Sequence, residues 1–306
     1  MIRRAAVIGL GTMGPGIAMR LARGGLEVRG YDRDAAQGER TDAIRPIIGE
    51  ALDALGIEGR EGSFTVAHTL EDAVADADLV IENIPESVEA KAELYRAIDP
   101  LIGTDTLVAT NTSAIPITRL QAHISNPARM AGMHWSNPPH IVPIIEVIAG
   151  RDTAPQTVGT IRALIRRIGL LPVTIRRDAP GFVENRVLYA LLREVIDLVE
   201  AGAITAEDID TCVSWGIGFK LAVIGPMALL DVAGLDIYRS VASHLNAELC
   251  DRKDVAPMIL EKTEAGRLGL KSGGGIYDYN LRQIKELYAQ RSRKLVAIRR
   301  VMEREI

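Results

Sequence analysis

A histidine and a glutamate are the two side chains whose setting in this sequence best suits acid–base chemistry. His134 follows the apolar run 130–133, and Glu146 lies inside the apolar run 144–148, so both are expected at the ends of buried strands. A buried carboxylate needs a partner, because an isolated charge there is costly or is neutralised. An imidazole held by a carboxylate has a fixed tautomer and can exchange a proton with a substrate oxygen. The pair therefore predicts a catalytic base, and the alternative is a salt bridge that only joins two strands.

A glycine-rich turn near the start of the chain predicts a dinucleotide site. The apolar strand 5–8 runs into Gly9, Gly11 and Gly14, which form a G-x-G-x-x-G pattern. Such glycines allow a tight bend, the approach of a pyrophosphate and close packing of the next helix. A second strand ends at Asp32, whose carboxylate can bind ribose hydroxyls and would repel a 2′-phosphate, which favours NAD over NADP. The alternative is a glycine turn without a ligand. We assign cofactor binding to Gly9, Gly11, Thr12, Met13, Gly14 and Asp32.

The composition is that of an ordinary globular enzyme. The 36 basic and 40 acidic residues give a net charge of −4, which argues against nucleic acid as the main partner. Cys212 and Cys250 are too few for a disulfide framework, so a reducing cytoplasm is expected. The longest apolar stretch, 221–230, is broken by Gly225 and Pro226 and is too short to span a bilayer. We therefore expect a cytoplasmic protein that acts on a small molecule and binds neither nucleic acid nor a membrane.

Strand and helix patterns alternate over the first part of the chain, and only helical patterns follow. This order predicts an α/β Rossmann-type dinucleotide-binding domain over 1–177 and an all-α domain over 178–306 for substrate binding and dimerisation. Strands are predicted at 5–8, 26–31, 64–66, 77–82, 107–110, 130–134, 142–147 and 171–175. Helices of the first part are predicted at 13–23, 35–55 (interrupted by Pro46), 87–101 and 155–168.

The helical part carries more apolar positions than one small domain can cover by itself. Its helices are predicted at 183–201, from Thr205 onward, at 226–245 and at 283–302. The last helix is expected to have one apolar face, formed by Ile284, Leu287, Tyr288, Leu295, Ile298 and Met302, and a solvated basic face. Because large exposed apolar surfaces usually mark interfaces, we expect a homodimer.

Further motifs follow one another in an order that is typical of one enzyme family. They are Glu86 with Lys91, Ser113 within Asn111-Thr-Ser, Asn137 within His134-x-x-Asn-Pro, Asn185 within Pro180-Gly-Phe-Val-Glu-Asn-Arg, and Lys-Ser-Gly-Gly-Gly-Ile-Tyr at 271–277. Together with the His–Glu pair and the glycine turn, they make the chain resemble the 3-hydroxyacyl-CoA dehydrogenase family over nearly its whole length.

The resemblance implies an NAD-dependent dehydrogenase with its active site in the cleft between two domains. The site residues that it implies are His134, Glu146, Ser113 and Asn185 for catalysis, Ser113, Asn137 and Asn185 for substrate contact, and Glu86, Lys91 and Asn111 for the cofactor. No metal is implied. From the residues alone, the asparagines can instead be turn or cap residues. In the same way, Lys91 can be a solvated surface lysine.

Two departures from the acyl-CoA pattern bear on the substrate. The segment 35–66 contains no lysine, and its three arginines stand against six acids, so it suits the multiply charged coenzyme A poorly. The segment 218–226 looks longer than the usual acyl-CoA form. It is similar to branches of the family whose substrates lack coenzyme A, one acting on carnitine and another on a pyridine aldehyde of vitamin B6 breakdown.

These departures favour a small carboxylated alcohol or aldehyde as the substrate. Lys220, within the longer segment, could then bind the substrate carboxylate, with Arg186 as a second candidate. A solvated Lys220 is the simpler alternative. Two other functions stay open at this point: an L-3-hydroxyacyl-CoA dehydrogenase, and a catalytically silent NAD-binding protein that has kept only the fold.

Overall fold

The computed structural model describes residues 1–304, and its first part is built on one eight-stranded sheet. The strands are β1 (Arg4–Ile8), β2 (Glu27–Tyr31), β3 (Ser63–Val66), β4 (Leu79–Glu82), β5 (Leu107–Thr110), β6 (Met130–Trp135), β7 (Ile144–Ile148) and β8 (Leu171–Ile175). Their order across the sheet is β3-β2-β1-β4-β5-β6-β7-β8. Neighbouring strands are parallel except β6 and β7, which are antiparallel. The predicted, mostly parallel Rossmann-type sheet is confirmed.

Helices pack against the sheet and bury both of its faces. They are α1 (Gly14–Arg23), α2 (Ala36–Ala54), α3 (Leu70–Val74), α4 (Val88–Ile98), α5 (Ile117–Leu120) and α6 (Pro155–Arg167). In β1, Ala5 and Val7 belong to one buried cluster and Ala6 and Ile8 to another. Because successive strand residues point to opposite faces, the two clusters lie on opposite sides of the sheet. This double burial explains why the strand sequences are continuous apolar runs.

The prediction that Pro46 interrupts the second helix is wrong, because α2 is continuous through that proline. The neighbouring Arg45 fixes this part of the helix to the sheet. Its guanidinium lies 4.2 Å from the centre of the Phe64 ring and donates to the Phe64 carbonyl oxygen at 3.0 Å. A salt bridge from Arg45 to Asp42 at 3.0 Å adds a contact within the helix. Tertiary contacts of this kind offset the backbone hydrogen bond that a proline removes.

The second part of the described chain is helical, as predicted. Its helices are α7 (Glu184–Glu200), α8 (Ala206–Cys212), α9 (Phe219–Leu221), α10 (Pro226–Ala233), α11 (Leu235–Leu245), α12 (Pro257–Glu264) and α13 (Leu281–Glu303). Thr205 caps α8 as its Thr-Ala-Glu-Asp pattern indicates, with its hydroxyl accepting from the Asp208 amide. One helix was predicted over 226–245, and this is wrong. Gly234, with a φ of +95°, separates α10 from α11, and a positive φ cannot continue an α-helix.

The described chain divides into two compact units. The first comprises residues 1–185 and 292–299, and the second comprises 186–291 and the residues from 300 onward. Among residues 1–304, no single helix has the length and apolar composition needed to cross a bilayer. One sharply bent pair, Ala206–Leu221 with Pro226–Ala233, meets those two criteria when its members are taken together.

The buried side of α13 differs from the predicted one. Val296 and Arg299 are buried, whereas Ile298 and Met302 are about half exposed. Val296 packs in a small cluster with Ala51, Leu55 and Ile141 of the first unit. Arg299 donates to the Ile141 carbonyl oxygen at 2.7 Å. The apolar periodicity failed here because the position that helps anchor the helix is an arginine, which a hydrophobic pattern does not count.

Candidate active site

The antiparallel pairing of β6 with β7 creates the His–Glu pair. The register places His134 directly opposite Glu146, and the His134 Nδ1 atom lies 2.8 Å from Glu146 Oε2. Residues opposite each other on such strands have their side chains on one face and in contact range. Both side chains are buried. His134 is the last residue but one of β6, whereas Glu146 lies in the middle of β7 rather than at a strand end as predicted.

The start of α7 holds the glutamate of this pair. Glu146 Oε1 accepts hydrogen bonds from the backbone N–H groups of Val183 and Glu184, each at 3.0 Å. Burial alone would raise the pKa of Glu146, but the hydrogen bond from His134 and the two amides outweigh it, so the pKa lies below its ordinary value. An ionised Glu146 keeps a proton on His134 Nδ1. The Nε2 atom of the imidazole is then the one left to exchange protons with a substrate.

Glu86 organises the loop that carries Ser113. One oxygen of the Glu86 carboxylate accepts from the Thr112 hydroxyl at 2.7 Å and from the Ser113 and Ala114 amides at 3.0 and 2.9 Å. Burial raises the pKa of Glu86. These donors together with Lys91 lower it by more, so the pKa of Glu86 lies below its ordinary value. Asn185 Nδ2 donates to the Ser113 carbonyl oxygen at 3.2 Å. The structure therefore brings together three predicted site residues, Glu86, Ser113 and Asn185.

Lys91 is buried, so the alternative of a solvated surface lysine is wrong. Its ammonium lies 2.6 Å from Glu82 Oε1 and 3.6 Å from Glu86 Oε2. The other oxygen of Glu82 accepts from the Tyr95 and Thr110 hydroxyls at 2.8 and 2.6 Å. A buried charge pair is tolerable only when its remaining hydrogen-bonding capacity is used in this way. Lys91 thus holds the Glu86 carboxylate in place through this ion pair.

Two asparagines connect the glycine turn to β6. Asn111 Nδ2 donates to Asn83 Oδ1 at 2.6 Å, and Asn83 Nδ2 donates to the Gly9 carbonyl oxygen at 3.1 Å. The Asn111 side-chain oxygen accepts from the Trp135 amide at 2.8 Å, next to His134. Asn83 was not predicted as a site residue. A polar residue directly after the buried strand β4 was the sequence feature that could have indicated it.

The glycine turn has the space that a dinucleotide needs. A Cβ on Gly9 would lie 2.5 Å from the Asn83 carbonyl oxygen, and one on Gly14 would lie 2.1 Å from the Gly9 carbonyl oxygen. These two positions need glycine for the bend and for close helix packing. A Cβ on Gly11, by contrast, would meet no atom within 4 Å. That open space is where a pyrophosphate would approach the backbone, beside Thr12 and Met13 at the start of α1.

Asp32 follows β2 and is held in place by the neighbouring backbone. Its Oδ2 atom accepts from the Leu10 amide at 2.8 Å, and its Oδ1 atom accepts from the Asp34 amide at 2.9 Å. Each carboxylate oxygen can accept a further hydrogen bond. A fixed anion beside the glycine turn fits the ribose hydroxyls of NAD. When bound, NAD accepts a hydride from the substrate carbon.

Ser136 and Glu184 are polar residues at the His–Glu pair that the sequence interpretation missed. The Ser136 hydroxyl donates a hydrogen bond to Glu184 Oε2. Ligand-type atoms of His134, Glu146 and Glu184 all lie within 4.8 Å of one another. Such atoms can also hold a metal ion, although His134 and Glu146 already bond each other, and the absence of a metal stays a prediction. The alternation of side chains in β6 could have indicated Ser136, since it follows His134 by two positions.

Asn137, His140 and Lys220 differ in their exposure to solvent. Asn137, predicted to contact substrate, is exposed and precedes a cis peptide bond to Pro138. Burial lowers the pKa of His140 to about 4, so this imidazole is neutral at pH 7. A Cβ on Gly16 of α1 would lie 3.0 Å from His140 Nδ1, so glycine is needed there for the two segments to pack. Lys220 is exposed on α9 in the second unit, and its contact with a substrate stays a prediction.

Comparison with known proteins identifies the family. The NAD-binding domain of 3-hydroxyacyl-CoA dehydrogenase matches residues 4–179, and the C-terminal domain of the same enzymes matches 181–279. The chain belongs to the 3-hydroxyacyl-CoA dehydrogenase family. It is accordingly an NAD-dependent dehydrogenase, and the alternative of a catalytically silent protein is not supported.

Relatives within the 3-hydroxyacyl-CoA dehydrogenase family differ in what they act on. The 5-formyl-3-hydroxy-2-methylpyridine 4-carboxylate 5-dehydrogenase of Mesorhizobium japonicum is 64% identical, with 99% of both chains covered. A crystal structure of a 5-dehydrogenase of this pyridine acid, described as an NAD⁺-dependent dismutase, matches with a TM-score of 0.97, 64% identity and 99% coverage of both chains. A probable 3-hydroxybutyryl-CoA dehydrogenase of Bacillus subtilis is 35% identical, covering 91% of this chain and 98% of its own.

For this member of the 3-hydroxyacyl-CoA dehydrogenase family, Asp32→Ala should reduce the preference for NAD. The variant should weaken NAD binding by about 1.5–3 kcal/mol, the value of a charge-assisted hydrogen bond. The binding of NADP should be weakened less than that of NAD, because the variant lacks the carboxylate that would repel the 2′-phosphate of NADP. The measurement is kcat/KM with each cofactor, and Asp34→Ala serves as the control because it keeps the backbone amide that Asp32 accepts from. Equal use of NAD and NADP by the unaltered enzyme would contradict the role of Asp32.

Proposed function

We propose that this enzyme uses NAD to oxidise the formyl group of 5-formyl-3-hydroxy-2-methylpyridine-4-carboxylate to a carboxylate. The observation that carries the proposal is the 64% identity, over 99% of both chains, with the Mesorhizobium japonicum protein that bears this activity in its name. The 3-hydroxybutyryl-CoA relative is far less similar, at 35%. The His134–Glu146 contact at 2.8 Å supplies the acid–base group that such an oxidation needs.

The chemistry follows from the positions of the side chains. An aldehyde can lose hydride to give an acid only as its hydrate, which carries a hydroxyl on the reacting carbon. His134 takes the proton of that hydroxyl as the hydride leaves, and Glu146 stabilises the imidazolium that results. Ser113 and Asn185, which a hydrogen bond connects, hold the reacting oxygen, and Asn137 contacts the rest of the substrate.

The arginines of segment 35–66 give no support to a coenzyme A substrate. Arg45 forms a salt bridge with Asp42 and donates to the Phe64 carbonyl oxygen, and the Arg40 guanidinium lies 3.7 Å from the Asp34 carboxylate. Arg60 donates to the Arg167 carbonyl oxygen at 3.2 Å. A phosphate-rich handle would have to compete with these partners and with six acids in the same segment. The acyl-CoA alternative is therefore the weaker one.

Purified enzyme with NAD and the pyridine aldehyde should form NADH together with the corresponding dicarboxylate. NADH is followed by absorbance, and the acid product is identified by mass spectrometry. A panel of 3-hydroxyacyl-CoAs and free hydroxy acids, assayed beside the aldehyde, tests the alternatives in the same experiment. Absence of both NADH and the dicarboxylate with the aldehyde, under conditions where another panel member is oxidised, would reject the proposal.

Lys220 is the residue that we propose for the carboxylate of the substrate. The proposal rests on its exposed position in the segment 218–226 and on the anionic character of the pyridine acid. Lys220→Ala should raise KM for the aldehyde much more than it lowers kcat, which is the behaviour of a lost ground-state contact. Lys253→Ala, a change of another exposed lysine of the second unit, is the matched control. An unchanged KM in Lys220→Ala would remove this assignment.

We also infer a homodimer formed through the second unit. Its helices expose many large apolar side chains, among them Trp215 at 73%, Val223 at 83% and Met227 at 76%. Monomeric proteins rarely expose so many apolar groups in one region. Sedimentation at micromolar concentration should give a dimer, and Met227→Glu should shift it toward the monomer. Ile47→Glu, at a similarly exposed apolar position of α2, should leave it unchanged. A monomeric wild-type enzyme would contradict the inference.

The domain boundary and the cellular location are the remaining parts of the proposal. The boundary between the cofactor domain 1–177 and the helical domain 178–306 is supported by the family domains, which meet between 179 and 181. A cytoplasmic location is supported by the presence of Cys212 and Cys250 as free thiols.

A further inference from the structure

A second acid–base group lies beside the His–Glu pair. Ser136 directly follows β6, two positions after His134. The Ser136 side chain is buried, and its hydroxyl donates to Glu184 Oε2. Glu184 in turn lies within 4.8 Å of the ligand-type atoms of His134 and Glu146. Two carboxylates therefore flank one imidazole.

The two carboxylates have different freedom to react. Glu146 uses Oε2 for His134 and Oε1 for the backbone amides of Val183 and Glu184. Glu184 is held through Oε2, which accepts from the Ser136 hydroxyl. A half-buried carboxylate that a hydrogen bond to one oxygen orients can take a proton from a bound water. Both oxygens of Glu146 position His134 and the start of α7, whereas Glu184 can act as a base toward a water molecule.

We propose that Glu184, oriented by Ser136, is the base that adds water to the aldehyde and so makes the hydrate that is oxidised. This inference rests on the proposed function, because an alcohol substrate would need no water. The second carboxylate would explain how an enzyme with the usual His–Glu pair acts on an aldehyde.

The hydration step balances without any further reactant. The water oxygen forms a bond to the aldehyde carbon, and the π electrons of the carbonyl move to its oxygen. Glu184 takes one proton from the water, and protonated His134 gives one to the former carbonyl oxygen. His134 is thereby left neutral, which is the state required to take the hydroxyl proton when hydride leaves. Release of the Glu184 proton and of the product acid proton then restores the starting state.

The test compares the two directions of hydride transfer on the same aldehyde. Oxidation by NAD needs the hydrate, whereas reduction by NADH needs the free aldehyde and no added water. Glu184→Gln keeps the size and the acceptor for Ser136 but removes the base. It should lower kcat/KM for oxidation by about 10²-fold, the usual effect of losing a general base, and should lower reduction by less than about threefold. Ser136→Ala should show the same imbalance at about tenfold, from the loss of one hydrogen bond to a charged group.

Controls separate this inference from the proposed function. Glu89→Gln alters another Ser–Glu pair, in which Ser87 Oγ donates to Glu89 at 2.9 Å, and should change neither direction. Equal losses in both directions for Glu184→Gln and Ser136→Ala would make the pair structural and overturn the inference. Unchanged oxidation in both variants would overturn it as well. A wild-type enzyme inactive on the aldehyde in both directions would instead reject the proposed function.

Discussion

Replacing His134 with glutamine should lower turnover by about 10²–10⁴-fold, the usual range for loss of a general base. The imidazole is the group that takes the substrate proton, and its Nδ1 atom lies 2.8 Å from Glu146 Oε2. Glu146→Gln should also be strongly impaired, because the neutral amide no longer stabilises the imidazolium. NAD binding should stay near normal in both variants, since neither side chain belongs to the glycine turn or to Asp32. Steady-state NADH formation and calorimetric titration with NAD measure the two quantities.

The control for this result is a variant of the cofactor site, in which NAD binding rather than turnover should be lost. Asp32→Ala should weaken NAD binding while the enzyme saturated with NAD keeps most of its turnover. A His134→Gln variant that retains most of its activity at neutral pH would mean that the pair only joins β6 and β7. Loss of NAD binding in His134→Gln would mean that the variant is disordered rather than chemically defective.

Replacing Lys91 with methionine should destabilise the protein by about 3–5 kcal/mol, the usual cost of leaving one partner of a buried ion pair alone. Lys91 and Glu82 are both buried, and their charged atoms are 2.6 Å apart. The double variant Lys91→Met with Glu82→Leu should be less destabilised than Lys91→Met alone, because it leaves no unpaired charge. Urea unfolding measures the free energy in each case.

An exposed ion pair provides the matched comparison for Lys91. Arg282 lies 2.7 Å from Glu286 on α13, with both side chains mostly exposed. Arg282→Met should change the free energy of unfolding by a small fraction of the Lys91 effect, since water screens and replaces that pair. Similar losses in the two variants would contradict the account of the buried network. Turnover of folded Lys91→Met should also fall, because Lys91 supports Glu86 and hence the Ser113 loop.

The sequence was sufficient for the features that local patterns encode. Gly9, Gly11 and Gly14 predict the dinucleotide turn because their spacing reflects steric needs within one strand–turn–helix unit. His134 and Glu146 were predicted to form a pair because each stands in or next to an apolar run that predicts a buried strand. The antiparallel register that pairs them directly was not predicted, since it depends on how β7 returns along β6.

Features that depend on distant contacts were missed. The Glu82 network joins Tyr95 of α4 to Thr110 of β5, which meet only after the parallel sheet forms. Ser136 and Glu184 are also far apart in sequence, and each alone is an ordinary polar residue. Pro46 and Arg299 were misjudged for a related reason, because tertiary contacts outweighed the helix propensity of one and the polarity of the other.

The central claim is that this member of the family oxidises a pyridine aldehyde rather than an acyl-CoA. The most direct measurement is the ratio of kcat/KM with NAD for 5-formyl-3-hydroxy-2-methylpyridine-4-carboxylate to that for 3-hydroxybutyryl-CoA, measured on one enzyme preparation. We predict a ratio above about 10², because a site that hydrogen-bonds one substrate strongly disfavours another that lacks the matching groups. Efficient turnover of 3-hydroxybutyryl-CoA that Lys220→Ala leaves unaffected, with little activity on the aldehyde, would contradict the claim.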